Sequence, residues 1–591
     1  VTTTINMANP NTIWASVLVE ALVRSGVTHF VISPGSRSTP LAIAAVEHPK
    51  TTTTVHFDER GAGYFALGYA RANQCAAALI CTSGTAVANY LPAIVEASQD
   101  FLPMVVLTAD RPPETWNSGA NQTILQDGIY SHYTRLNRTL PVPGTHIPLA
   151  FLIEMVDRAC DAMQNVENPG PVHLNCPFEK PLEPTGVTTD FAPWLLPIRS
   201  WLNNDVSLSQ NTNRPVTDID PLIVVQTAAR LARATHGLLV FGRENDRKHA
   251  ESYLKLARIL KWPIWIDIQS PLRSSLTYSE LPLLNADILS HSEVQNRWQP
   301  NVILQFGGPL TSQLALDYFT EVRPDIYLQV HPRSPAMDPT KCVTHPIQTE
   351  GGKFAEALYQ RLSDSEIAPS YFDSGWSTQT QNFQNQYFGD VKNDLFEAHL
   401  AHIISQKISR DCVLFLGNSM PIRDFDRFAR LPANCQVYAN RGASGIDGNI
   451  ATMAGLAEGM HRPVMGVIGD LAALHDLNSL HLVRQSQYPI VLVIINNHGG
   501  GIFSHLPIAQ HSAVFEPYFE TPHPYDFESA AKQFGLERRL VTKLADTENL
   551  PEWLSSKSSL IIEIQTERSI QADFRRQLTA RIHQLLSGNF Q

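Results

Sequence analysis

The chain is poor in cysteine, and the few it has form no framework. Seven occur in 591 residues, at positions 75, 81, 160, 176, 342, 412 and 435. No pair is spaced Cys-x-x-Cys, and Cys176 and Cys412 sit in apolar, strand-like runs. This excludes a zinc ribbon or a disulfide scaffold and reads as buried free thiols in a reducing compartment, with the cytoplasm as the expectation. No apolar run approaches the ~18 residues of a membrane span, so none is expected. Val1 to Pro10 is polar and lacks the apolar core of a secretory signal. Basic charge is also short: 45 Lys and Arg stand against 56 Asp and Glu, a net charge of −11. With no long basic run, nucleic acid and anionic membrane surfaces are not expected as partners. There is no short-period repeat either.

What is present is a long alternation of strand-like and helix-like segments. At 591 residues the chain exceeds one domain, since ~100–200 residues per domain is typical. A first block carries apolar runs at His29–Ser33, Ala78–Cys81, Met104–Thr108 and Val172–Asn175, separated by alanine-rich segments such as Gly63–Arg71 and Ala86–Ala97. A second carries Gly237–Phe241, Pro263–Ile268, Val302–Phe306 and Ile326–Val330. A third carries Cys412–Leu416, Val437–Ala439, Val464–Ile468, Ile490–Ile495 and Leu560–Ile564. Strands alternating with helices predict parallel sheets. Polar stretches separate the blocks: Glu183–Pro221, which includes Gln210–Pro215, and Ser363–Gln386. The expected plan is a first domain over 1–185, a linker over 186–221, a central domain over 222–362, a linker over 363–386 and a third domain over 387–591.

The third block holds the most informative stretch. Val464–Ile468 leads into Gly469-Asp470-Leu471, and Ile490–Ile495 leads into Asn496-Asn497-His498-Gly499. β-Branched runs of this kind read as buried parallel strands, so both polar ends fall where open α/β sheets bind ligands. A carboxylate and an amide oxygen there suit a hard cation such as Mg²⁺, which bridges to phosphate oxygens. The alternative is a strand end with Asp470 capping a helix and an ordinary Asn-rich turn. The stretch resembles the Gly-Asp…Asn-Asn motif with which thiamine-diphosphate (ThDP) enzymes anchor Mg²⁺-diphosphate. It departs from it once, at Leu471, where the family usually has glycine. The block order resembles the pyruvate-oxidase-like ThDP enzymes. The resemblance implies an α/β fold of three doubly wound parallel-sheet domains: pyrimidine-binding, central and diphosphate-binding.

Such an enzyme needs a carboxylate against the aminopyrimidine, because loss of the cofactor's weakly acidic C2 proton runs through that ring as general base catalysis. In the family the glutamate follows a first-domain strand and precedes a helix. Val55-His56-Phe57-Asp58-Glu59-Arg60 fits, with Glu59 in the role and Asp58 as the competing acid or the helix cap. The alternative for Glu59 is a solvated helix-start acid paired with Arg60. The resemblance also implies sites shared between subunits, hence a homodimer or a dimer of dimers.

Five further segments resemble one branch, the 2-succinyl-5-enolpyruvyl-6-hydroxy-3-cyclohexene-1-carboxylate synthase family of menaquinone biosynthesis: Ser33–Pro40, Thr82–Asn89, Thr108–Glu114, Gly119–Gln122 and Asn440–Gly448. That family decarboxylates 2-oxoglutarate and adds the product carbanion to isochorismate. Both substrates carry carboxylates, and arginine suits their planar bidentate binding. The resemblance implies Ser36, Arg37, Arg111, Asn121 and Gln122 on the isochorismate side, and Ser419, Arg423 and Arg441 near the succinyl group. It makes Ile446 the wedge that bends the cofactor. It makes Ile502, Phe503 and Leu506 an apolar wall after the metal loop, and Asp470, Asn497 and the Gly499 carbonyl the ligands of Mg²⁺ or Mn²⁺. Gly469 and Leu471 complete the cofactor contacts. Each has a plain alternative: Arg423 pairing with Asp424 or Asp426 on a surface helix, Arg111 as a solvated turn residue, Ile446 and Phe503 as core. Basic central-domain residues of the family find no counterpart in Leu283–Asp287; Arg273 and Arg297 are unassigned candidates. The 21 histidines include no His-His pair, which simple 2-oxoacid decarboxylases of the superfamily carry. Two other readings remain. Another ThDP carboligase, acetohydroxyacid-synthase-like or benzaldehyde-lyase-like, would not need four placed arginines. A non-catalytic binding protein on this fold would not need Glu59.

Overall fold

The computed structural model describes residues 5–203, 219–244, 247–275, 282–333, 337–363, 372, 375–391 and 393–588. Gln210–Pro215 lies outside them. The strands are β1 (His29–Ile32), β2 (Thr52–Val55), β3 (Ala77–Cys81), β4 (Met104–Asp110), β5 (Leu136–Thr139) and β6 (Pro171–Pro177), then β7 (Gly237–Phe241), β8 (Ile264–Ile266), β9 (Val302–Phe306), β10 (Ile326–His331) and β11 (His345–Gln348). The last six are β12 (Val413–Leu416), β13 (Gln436–Tyr438), β14 (Val464–Gly469), β15 (Ile490–Asn496), β16 (Glu537–Val541) and β17 (Leu560–Gln565). They form three sheets, ordered β2-β1-β3-β4-β6-β5, β11-β10-β9-β7-β8 and β13-β12-β14-β15-β17-β16. Strand pairing is parallel in each. Three doubly wound α/β sheets are thus the architecture, as the alternation predicts.

Central strands are the apolar runs of the sequence. β15 is buried at every position, because a parallel strand covered by helices on both faces has no solvent side. Four strands were absent from the sequence-derived runs: β2, β5, β11 and β16. All four are sheet edges, and their residues are mostly exposed or half-buried.

The stretches expected as linkers differ from that expectation. Within 186–221, the short helices Ala192–Leu195 and Arg199–Asn203 help seat Trp194, Ile198 and Trp201 in the first sheet's core. The Arg24 guanidinium lies 4.2 Å from the Trp201 ring centroid and donates to the Trp201 carbonyl at 2.7 Å. Within 363–386, Gly375 begins a helix that runs to Gly389 and buries Trp376, Thr380, Gln384 and Phe388. These lie four apart, one stripe of a helix, hidden in a composition that averages as polar.

The chain divides into two compact units. One comprises Val1–Asn213, Asn440–Val464 and Ala472–Ile490; the other comprises Arg214–Ala439, Met465–Leu471 and Val491–Gln591. In the first unit the helices Glu59–Asn73 and Asn449–Met460 pack at glycine contacts. A Cβ on Gly68 would meet the Thr452 carbonyl oxygen at 2.2 Å, and one on Gly455 would meet that of Phe65 at 2.0 Å. All seven cysteines are free thiols. Among the described residues no helix is long and apolar enough to cross a membrane.

Candidate active site

In the second unit, Asp470 and Asn497 close the adjacent strands β14 and β15 at their carboxyl ends. Asp470 is buried, and its carboxylate ties two loops: Oδ1 accepts from the Leu471 amide at 2.7 Å and Oδ2 from the Gly499 amide at 2.9 Å. His523 Nε2 stands 3.3 Å from Oδ2. Burial is the largest influence on this carboxyl and raises it from its ordinary value, with the two amides and His523 opposing. Leu471 lies inside the helix Asp470–His475, a backbone that any residue adopts, so the departure from glycine leaves the turn intact. Gly469 has open space where its Cβ would stand.

Asn497 has one satisfied end and one unsatisfied end. Its Nδ2 donates to Glu397 Oε1 at 2.8 Å, while Oδ1 is buried with no hydrogen-bond partner. Gly499 has φ of +153°, and a Cβ there would meet Arg568 Nη1 and the Glu520 carbonyl oxygen, each at 2.5 Å. Arg568 clamps this loop, donating to the carbonyls of Asn497 at 3.2 Å and His498 at 2.6 Å and pairing with Glu520 at 3.2 Å. A carboxylate, an amide oxygen and a peptide carbonyl form a hard-oxygen donor set that fits Mg²⁺ or Mn²⁺. No cluster of three His, Cys, Asp or Glu side chains suited to a metal occurs among the described residues. The orphaned Oδ1 fits this mixed set.

The same unit contains a cavity of about 810 Å³ lined by Arg423, Arg427, Gln313, Ile502, His505 and Leu506, among others. Ser419 opens the helix Met420–Phe428 with φ of 71°, a strained backbone for a residue with a side chain. Arg423 Nη1 donates to the Ser419 carbonyl at 2.5 Å. The expected alternative, Arg423 paired with Asp424 or Asp426, is not what forms. Asp424 is buried in a bidentate pair with Arg575, and Asp426 accepts from the Ile268 amide at 2.9 Å. Arg427 is matched by buried Asp287. His505 is pushed down to about 4, by burial first and then by Arg575, Arg576 and Arg427. Phe503 packs edge-on against Phe519 with ring centroids 5.7 Å apart and is only half-buried, unlike a core residue. On the central-sheet side the cavity is lined by Thr311, Ser312, Gln313 and Leu314, none basic. Arg273 instead donates to the carbonyls of Ile266 at 2.9 Å and Asp426 at 2.6 Å, a structural role.

In the first unit, the helix Glu59–Asn73 begins beside the end of β2. Asp58 is its cap, accepting from the Arg60 amide at 3.0 Å. Arg60 does not pair with Glu59: it donates to the His475 carbonyl at 2.6 Å and contacts Nδ1 of that ring at 3.1 Å. Glu59 keeps only a long contact, 3.5 Å, from Asn89 Nδ2.

At the strand ends of the first sheet, Arg37 and Arg111 lie close enough for each to bear on the other's charge. Arg37 is lowered from its ordinary value by burial, then by Arg111, with Asp110 opposing. Arg37 also donates to the Phe178 carbonyl at 2.8 Å. Arg111 is half-buried with Nε unpartnered, not a solvated turn residue. Ser36, Asn121 and Gln122 are exposed. Gln122, at φ of 59°, exchanges bonds with Ser83: its Nε2 donates to the Ser83 carbonyl at 3.1 Å and its carbonyl accepts from Ser83 Oγ at 2.9 Å. Thr82–Gly84 and Gly119–Gln122 are thereby held together. Arg441 lies in a loop pinned by buried Glu96, which accepts from the amides of Gly442 at 2.7 Å and Ala443 at 2.6 Å. Ile446 is 37% exposed, so it is not core. The candidate residues thus fall into two sets, one in each unit. Sequence reading missed Glu397 and Arg568, which hold the loop at Asn497 from helices remote in sequence, and Arg575, which holds Glu397.

Three family models match the chain in order: Thiamine pyrophosphate enzyme, N-terminal TPP binding domain over 14–130, Middle domain of thiamine pyrophosphate over 192–416, and Thiamine pyrophosphate enzyme, C-terminal TPP binding domain over 419–564. The solved benzoylformate decarboxylase from Polynucleobacter necessarius superposes with a TM-score of 0.70 over 94% of this chain and 98% of that one; at 15% identity it speaks for the fold alone. Fold and matches define the class, a thiamine-diphosphate-dependent enzyme. Proteins named 2-succinyl-5-enolpyruvyl-6-hydroxy-3-cyclohexene-1-carboxylate synthase are similar along nearly the whole length. That from Chlorobium limicola is 38% identical over 96% of this chain and 97% of its own. That from Rubrobacter xylanophilus is 40% identical over 89% and 90%, and that from Salinibacter ruber 37% over 97% and 97%. The chain belongs to this synthase family.

Proposed function

We propose that the chain decarboxylates 2-oxoglutarate and joins the resulting four-carbon unit to isochorismate, forming the product in the names of its relatives. Asp470 and Asn497 Oδ1, with the Gly499 carbonyl, would hold Mg²⁺ or Mn²⁺ beside the cofactor. When bound, thiamine diphosphate supplies the electron sink for CO₂ loss and the nucleophilic carbon for the new bond. Glu59 would serve the aminopyrimidine ring as the general acid–base group. Ile446, Ile502, Phe503 and Leu506 give the site apolar walls that exclude water. Arg423 and Ser419, with Arg441, orient the carboxylate that 2-oxoglutarate keeps. Arg37 and Arg111, with Ser36, Asn121 and Gln122, orient isochorismate.

The observation that carries the reading is the pair at the ends of β14 and β15. There a buried carboxylate closes one strand, and an amide oxygen with no partner closes the next. The cavity wall carries Arg423, whose guanidinium donates to a backbone carbonyl and forms no ion pair with Asp424 or Asp426, and this supports a substrate with a distal carboxylate. Exposed Ile446 and Phe57, the latter two residues from Glu59, support sites completed between subunits of a homodimer or a dimer of dimers. The enzyme works in the cytoplasm on this reading.

The test is CO₂ release from 2-oxoglutarate with ThDP and Mg²⁺. Release that requires both and accelerates when isochorismate is added is the expected result. Release from pyruvate but not from 2-oxoglutarate would overturn the substrate assignment in favour of another carboligase.

A further inference from the structure

The two ends of an Asn side-chain amide are nearly isosteric, so hydrogen bonds alone decide which end faces which neighbour. Asn497 Nδ2 faces Glu397 Oε1 at 2.8 Å. A carboxylate oxygen accepts and the NH₂ end donates, so this contact turns Nδ2 toward Glu397 and Oδ1 away from it. Oδ1 is the end left buried and unpartnered.

Glu397 is itself held. It opens the helix Glu397–Lys407, its Oε2 is 3.1 Å from Arg575 Nη2, and its Oε1 accepts from Thr566 Oγ1 at 3.3 Å. Arg575 comes from the C-terminal helix Arg568–Gly588 and also grips Asp424 with both terminal nitrogens. Glu397, Asp424 and Arg575 are all buried. An ion network of this kind, replaceable by apolar packing at no cost in stability, is weak as a stability device. Its geometric output here is the orientation of one amide.

We propose that Glu397 is a positioning residue for the metal site: it fixes the Asn497 amide so that Oδ1 and not Nδ2 is presented to the cation, and Arg575 fixes Glu397. The inference rests on the reading of Asn497 as a metal ligand. Partners of metal ligands that set their orientation are worth about 10–100-fold in metal affinity.

The experiment is Mn²⁺ affinity, read from the free-ion electron paramagnetic resonance signal in the presence of ThDP, for four variants. Asn497→Ala tests the ligand itself: wild-type affinity there would overturn the metal reading as a whole. Glu397→Gln lets the amide turn end for end, and affinity should fall about 10–100-fold. Asn497→Asp sets two carboxylates in contact and should fall comparably. The double variant Glu397→Gln with Asn497→Asp restores complementarity, since the Gln NH₂ donates to one Asp oxygen and leaves the other for the metal. It should regain affinity to within a few-fold of wild type. A purely structural Glu397 predicts losses that accumulate in the double variant, with the unfolding midpoint falling in step. Accumulated loss, or wild-type Mn²⁺ affinity in Glu397→Gln alone, would overturn the inference while leaving the metal reading intact.

Discussion

Glu59 stands apart because its neighbours are occupied: Asp58 caps the helix and Arg60 reaches His475. Replacing it by Gln keeps the shape and removes the titrating oxygen. ThDP should still bind, while exchange of the cofactor's C2 hydrogen for deuterium falls about 10²–10⁴-fold. Exchange at the wild-type rate would remove Glu59 from the role. The arginines divide by substrate. A charge-assisted hydrogen bond contributes about 1.5–3 kcal/mol, roughly 10- to 150-fold in kcat/KM. Arg423→Ala should impair use of 2-oxoglutarate, including CO₂ release without isochorismate. Arg37→Ala should spare that half and raise KM for isochorismate. Its bond to Phe178 adds a local structural cost, which thermal unfolding of the variant would reveal. At this scale the sequence picks out a residue where its type and a strand end together suit a chemistry, as at Asp470, Asn497 and Glu59, and the proposed roles rest on that. Glu397, Arg568 and Arg575 were not legible. Each is an ordinary helix residue, and only the fold brings Glu397 and Arg568 to the loop at Asn497 and Arg575 to Glu397.

Among elements, legibility followed burial. β15 and β4 are covered on both faces and announce themselves as apolar runs. β2, β5, β11 and β16 are edge strands with mostly exposed or half-buried residues, so no apolar run marks them, whereas the edge strand β8 is buried throughout and was legible. The helix ending at Gly389 was hidden for a different reason: Trp376 and Phe388 are diluted by glutamine and asparagine. The helix pair Glu59–Asn73 and Asn449–Met460 gives the element-scale prediction. Gly455→Ala drives a Cβ into the Phe65 carbonyl, where backbone cannot give way, and overpacking of this kind costs about 1–3 kcal/mol. Gly389→Ala, with open space at its Cβ, should be neutral. Urea midpoints compare the two, and equal midpoints would mean that the helices are not in contact as described.

For the whole molecule, ligand binding is linked to stability. A ligand that binds only the folded state at about 100 times its Kd adds about 2.7 kcal/mol. ThDP with Mg²⁺ should raise the thermal midpoint, a chelator should reverse the rise, and Asp470→Ala should abolish it. An equal rise in Asp470→Ala would place the metal elsewhere. The central claim is a carbon–carbon bond between two particular acids, and mass spectrometry of the product tests it most directly. The protein is incubated with ThDP, Mg²⁺, isochorismate and uniformly ¹³C-labelled 2-oxoglutarate. The account predicts a single adduct carrying all but one of the labelled carbons on the isochorismate skeleton, with the remaining label released as CO₂. Labelled succinic semialdehyde with isochorismate left unchanged would contradict it.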